Sequence, residues 1–341
     1  MFGLFQRDLR ARFPEPRPGG VAVACCGKLP VHREFIRHGL QGRELAALDT
    51  WVQEGVAQLN RRFGSEWLAT FRQRPPLHFS ITCAGGERSV NGVLAASRDQ
   101  SGREYPVVMA CLVDQSRFSE FHALAPLSAW AVHDFLEHAI RIAPDLPDLA
   151  AVFSHLEAAP ALACSRRRDL IEREIALLRG VNQGELWAAA LPGLDPDQQA
   201  RVLQRVDTAL RLIGRRKPHR IHWGLRLPLP RGRHLQAALV FWLQLCDAMA
   251  GAGAFRLQAF WRGDGEGGAQ PELTLFFRDL PASCFGAVAD CGHDRELVVR
   301  VCDPATDEVE GDSAPMRALL RSTGLSLLDL VAAWSGVRRR I

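Results

Sequence analysis

The chain has 341 residues, 47% of them hydrophobic and 23% charged, with a formal net charge of +4. That length and composition suit one large folded unit or two ordinary ones and exclude disorder, collagen and coiled coil as the main description. No apolar run reaches the roughly 18 residues of a membrane span, and Arg7, Asp8, Arg10 and Arg12 interrupt the apolar start that a secretory signal would need.

Residues 1–19 close on Pro14-Glu15-Pro16-Arg17-Pro18-Gly19, a segment that sustains neither helix nor ladder, so it reads as a flexible tail. Val21–Cys26 is a short apolar run expected as a buried strand. From Glu44 to Arg62, Leu45, Leu48, Trp51, Val52, Val56 and Leu59 recur at intervals of one to four, mostly three and four, which predicts an amphipathic helix stopped at Gly64. Leu77–Thr82, Val90–Ala95 and Pro106–Leu112 read as strands, and Leu127–Ile142 as a helix ending before Pro144. A domain sub-boundary falls near 150, where Pro144, Pro147 and Pro160 gather.

Helical sequence follows at Arg166–Arg179 and Asp195–Ile213, then a strand at Ile221–Leu229 and a helix at His234–Met249. Phe255–Trp261 and Glu272–Phe277 are expected to pair around the glycine-rich 263–268 loop. Leu297–Cys302 forms one more strand, and Ala314–Trp334 is helical in two pieces. Strands covered by helices on both sides predict a three-layer α/β/α sandwich with a mixed β-sheet, enlarged by extra helices in the second half.

The chemistry-bearing residues leave three function classes open. Cys25 and Cys26 precede Gly27-Lys28, whose ammonium would favour a thiolate, and His32 or His38 would complete a cysteine-enzyme dyad; inert buried thiols are the commoner outcome at such a strand end. Between Asp207 and Asp247 no acid occurs, while Arg211, Arg215, Arg216, Lys217, Arg220, Arg226, Arg231 and Arg233 accumulate. That basic surface fits a phosphate-bearing or acidic partner better than nucleic acid, since stacking aromatics are missing. Cys284, Cys291, His293 and Cys302 lack zinc-knuckle spacing, so no metal or other cofactor is expected. The nine cysteines, an odd number scattered through apolar stretches, read as cytoplasmic usage.

Two stretches carry more than generic pattern. Gly27-Lys28-Leu29-Pro30-Val31-His32-Arg33-Glu34-Phe35 follows the first strand, and Asp99-Gln100-Ser101-Gly102-Arg103-Glu104-Tyr105-Pro106 lies between later ones, after Gly92-Val93-Leu94. Together they resemble the TagF family, also called ImpM, of type VI secretion-associated proteins. Phe260-Trp261 and Leu280-Pro281 with Phe285 are similar to that family's closing blocks. The family's Gly-Asp is Arg33-Glu34 here. The resemblance implies a TagF-like α/β domain over 20–290, a helical enlargement at about 160–215, and a strand-helix appendage over 291–341. It further implies a non-enzymatic cytoplasmic regulator that binds the forkhead-associated scaffold protein, or another secretion component, and represses assembly or firing. Partner binding would then fall on Gly27, Lys28, Leu29, Pro30, Glu34, Phe35, Asp99, Gly102, Arg103, Tyr105 and Pro106, with Arg211, Arg215, Arg216, Lys217 and Arg220 as a basic patch.

Read without the family, Gly27 permits a sharp strand exit, Pro30 stiffens the next step, and an Asp99–Arg103 ion pair would hold the Gly102 turn.

Overall fold

A computed structural model describes residues 20–83, 87–114, 121–163, 166–216, 220–251, 256–263, 270–291, 295–303 and 313–336. The tail at 1–19, the glycine-rich loop beyond Gly263, Lys217, Cys164, His293 and the last arginines lie outside these residues.

Nine strands form one sheet: β1 (Val23–Gly27), β2 (Ile36–His38), β3 (Leu77–Thr82), β4 (Arg88–Ala95), β5 (Val107–Asp114), β6 (Gly224–Pro228), β7 (Gln258–Arg262), β8 (Glu272–Phe276) and β9 (Val298–Arg300). Their order is β2-β1-β5-β4-β3-β7-β8-β6-β9. Every pairing is antiparallel except β6 with β9, so the sheet is mixed. The β3–β7 pairing, His78 opposite Trp261, makes a single sheet of strands from both sides of residue 150.

Alternation along the strands divides the apolar side chains between two cores. Val23, Cys25, Val93, Met109 and Trp261 face one; Ala24, Cys26, Leu94, Val108 and Phe260 face the other. The first core is covered by α3 (Leu124–Ser128), α4 (Trp130–Ile142), α5 (Leu149–Leu156), α6 (Arg167–Arg179), α7 (Gln183–Ala190), α8 (Pro196–Arg216), α9 (Leu235–Ala250), α11 (Ala314–Leu320) and α12 (Leu327–Ser335). The second lies beneath α1 (Arg43–Phe63), α2 (Glu66–Arg72) and α10 (Phe285–Ala289). The expected α/β sandwich with a mixed sheet is therefore what the chain forms. Nearly all of α9 is apolar, and it is buried on every side, as a helix without a polar stripe must be.

Two details depart from the sequence reading and a third extends it. The single helix expected over Leu127–Ile142 is two, broken at Ala129, where Ser128 Oγ donates back to Ala125 O at 2.8 Å and competes with the helical ladder. Short β2 and α10 carry too few residues to show a period. Residues 291–341, set apart by sequence, supply edge strand β9 and helix α12, whose Trp334 lies against Trp187, Phe241 and Trp242.

Candidate docking site at the motif loops

The two sequence motifs meet at one end of the sheet because β1 runs antiparallel to β5, with Gly27 opposite Val107. Gly27 has φ +116°, and a Cβ there would sit 2.1 Å from Pro106 O. Only glycine lets the first motif leave the strand this close to the second. Leu29 then drops into the core at 1% exposure, and His32 N donates to Leu29 O at 3.1 Å.

Asp99 is the hub of the second loop. Its backbone N–H bonds Arg103 O at 3.0 Å and its carbonyl accepts from Gly102 N at 2.9 Å, with Gly102 at φ +86°. Oδ1 accepts from Ser101 N, Ser101 Oγ and Arg103 N at 2.9, 2.7 and 2.9 Å. Oδ2 accepts Arg103 Nε at 2.7 Å and faces Lys28 Nζ at 2.9 Å. Burial works to raise this acid, yet bonds from Ser101, Lys28 and Arg103 outweigh it and hold the carboxyl far below the usual range.

Further bonds join the loops. Gln100 N donates to His32 O at 2.9 Å, and Arg103 Nη2 to Arg33 O at 2.5 Å. Phe35 packs edge-on to Tyr105 at 5.1 Å, and the Arg37 guanidinium lies over Phe35 at 4.9 Å. Burial, then the nearby Asp49 and Cys26, push the Tyr105 phenol above its ordinary value.

The expected Asp99–Arg103 pair is thus present, and Lys28 closes the same ionic cluster, its side chain only 15% exposed. Charges offered to the outside are instead Arg33, Glu34, Arg98 and the outer part of Arg103. Beside them Leu29, Pro30, Ala96, Arg98, Glu104 and Ile140 line a cleft of about 240 Å³. Sequence reasoning missed Ser101, which lacks any distinctive chemistry, and Arg98–Glu104, whose backbone bridge depends on the turn closing.

The other candidates separate. Cys25 and Cys26 face opposite cores; burial raises the Cys25 thiol to about 12, and burial with Asp49 raises Cys26 as well. Both are the buried thiols that such a strand end favours, and Lys28, whose ammonium would favour a thiolate, is paired with Asp99 instead. Among the described residues no group of three or more His, Cys, Asp or Glu is placed to hold a metal.

The basic stretch is also divided. Arg226 is buried, donating to Asp290 Oδ1 at 2.7 Å and Thr274 Oγ1 at 3.0 Å, because both faces of β6 are covered and its own face meets α10, where it donates to Ala287 O at 3.0 Å. Arg211 pairs with Asp207 at 2.8 Å. Arg215, Arg216 and Arg220 are exposed, the first two where cations suit the C-terminal end of α8.

Residues 24–156 match the family model of the TagF N-terminal domain, described as type VI secretion system-associated. A crystal structure of PA0076 from Pseudomonas aeruginosa PAO1 is similar at 19% identity, over 79% of this chain and 94% of that one, with a TM-score of 0.44. No curated protein matches the chain.

Proposed function

We propose that this protein, whose residues 24–156 match the TagF N-terminal domain described as type VI secretion system-associated, regulates such a system by binding one of its components and holding assembly or firing in check. The partner this reading favours is the forkhead-associated scaffold protein. The reading places the protein in the cytoplasm; among the described residues no helix is long and apolar enough to cross a membrane.

The observation that carries the proposal is the ionic weld of Lys28, Asp99 and Arg103. It ties the two motif loops to each other through one buried carboxylate. A surface ordered in advance loses little freedom on binding, so more of its contact energy appears as affinity. Exposed Arg33, Glu34 and Arg98 then supply the charge pattern that orients a partner, and the cleft lined by Leu29 and Pro30 supplies the apolar anchor.

Affinity capture of the tagged protein from cells that express the secretion system tests this. The expected result is a stoichiometric complex with the forkhead-associated protein, or with a sheath or baseplate component, that weakens in Glu34→Lys. Failure to recover any such component at low, physiological and high salt would overturn it.

A further inference from the structure

A second cavity opens at the other end of β3 and β4, beneath the first turn of α1. Its volume is about 350 Å³, within the range that holds small ligands, and its walls include Leu48, Trp51, Ile81 and Phe260.

Two polar side chains among those that line it are buried and incompletely bonded. Gln258 is 2% exposed; its Nε2 donates to Thr82 O at 3.2 Å, while Oε1 has no hydrogen-bond partner among the described residues. Turning the amide over would set oxygen against the Thr82 carbonyl, so the acceptor orientation is fixed. Glu44 is 6% exposed, with Oε1 3.1 Å from Arg88 and 3.3 Å from Arg43; its Oε2 likewise has no hydrogen-bond partner among the described residues. Buried acceptors without donors are uncommon and costly, and they define what the space lacks.

We infer that this cavity is a binding site for a small, mainly apolar and neutral molecule that carries an N–H donor for Gln258 Oε1 or Glu44 Oε2. Neutrality follows from the lining: Glu44 already has Arg43 and Arg88 beside it and Asp279 pairs with Arg256 at 3.0 Å, so neither carboxylate calls for a ligand cation, and both of Glu44's arginines are exposed to solvent that screens the surplus charge. The site lies on the same layer as α1 but at the opposite strand ends from the motif loops.

Indole and 1-methylindole are the probes, followed by saturation-transfer NMR and calorimetry on the full chain. They share one shape and differ in the single donor. Indole is expected to bind at least about five-fold more tightly, the ratio one hydrogen bond supplies. Ala47→Trp, on an exposed position that borders the cavity, should abolish binding with the circular dichroism spectrum and Tm unchanged. Should that variant not fold, protection by indole of half-buried Cys83 from prolonged iodoacetamide treatment near pH 9 locates the probe, since Cys83 also lines the cavity and burial, which raises its thiol to about 11, makes its alkylation slow at neutral pH. Equal affinity for the two probes, no binding by either, or binding retained in folded Ala47→Trp without Cys83 protection would overturn the assignment.

Discussion

Asp99 shows how one buried carboxylate can order a surface. It receives three hydrogen bonds on one oxygen and two cations on the other. A depressed carboxyl contributes stability that is complete above the unfolded pKa, 3.8, and is lost as acid approaches the lower folded value. Asp99→Asn should therefore melt below the wild type by a constant margin from pH 5 to 8. Below about pH 4 the margin should narrow. Melting curves across that range check it, and a margin that widens in acid would show that the charge is not the stabilising element. The cysteines give a second prediction at this scale. With thiols raised by burial, Cys25 and Cys26 should resist iodoacetamide at pH 7.5 in the folded protein and react promptly once it is denatured. Peptide mass mapping of alkylated Cys25 in native protein would instead revive the enzyme reading.

At the scale of elements, the motif loops depend on the β1–β5 register. Gly27→Ala forces a side chain into Pro106 O at a positive φ and should destabilise by more than about 2 kcal/mol, read as a lower urea midpoint. Gly102→Ala, with open space around its Cβ position, carries only the conformational penalty of about 1 kcal/mol. Helices α1, α6 and α8 were legible because each has enough residues for its period to show, strands β3, β4 and β5 because they are short runs rich in β-branched or aromatic residues between turns, and α9 as a long apolar run closed at Gly251. The weld at Asp99 was partly legible: Asp99, Gly102 and Arg103 lie within one turn, so their pairing follows from local spacing. That Lys28 joins them depends on two strands meeting across 71 residues, and no local pattern encodes such a meeting. Arg226 misled for the opposite reason. A run without acids looks like an open basic face, but its acids, Asp290 and Glu272, arrive from later elements.

For the molecule as a whole, the continuous sheet ties the family-matched segment to the remainder. Trp334 is the tether from the far end: it is buried, and its Nε1 donates to Asp207 Oδ1 at 3.0 Å. Trp334→Ala should lower stability by about 3–5 kcal/mol, as for other buried aromatics, with the denaturant slope unchanged. A loss under about 1 kcal/mol would mean that α12 is peripheral. The functional account rests on one face, the rigid loops, acting as the docking surface. The most direct test measures affinity of the forkhead-associated scaffold for three proteins by biolayer interferometry: the wild type, a Glu34→Lys/Arg98→Glu double variant, and an Arg215→Glu/Arg216→Glu double variant. The motif-loop variant should bind at least about ten-fold more weakly and the helix variant within about two-fold of wild type. Undiminished binding by the folded motif-loop variant, or loss confined to the Arg215/Arg216 pair, would contradict the account.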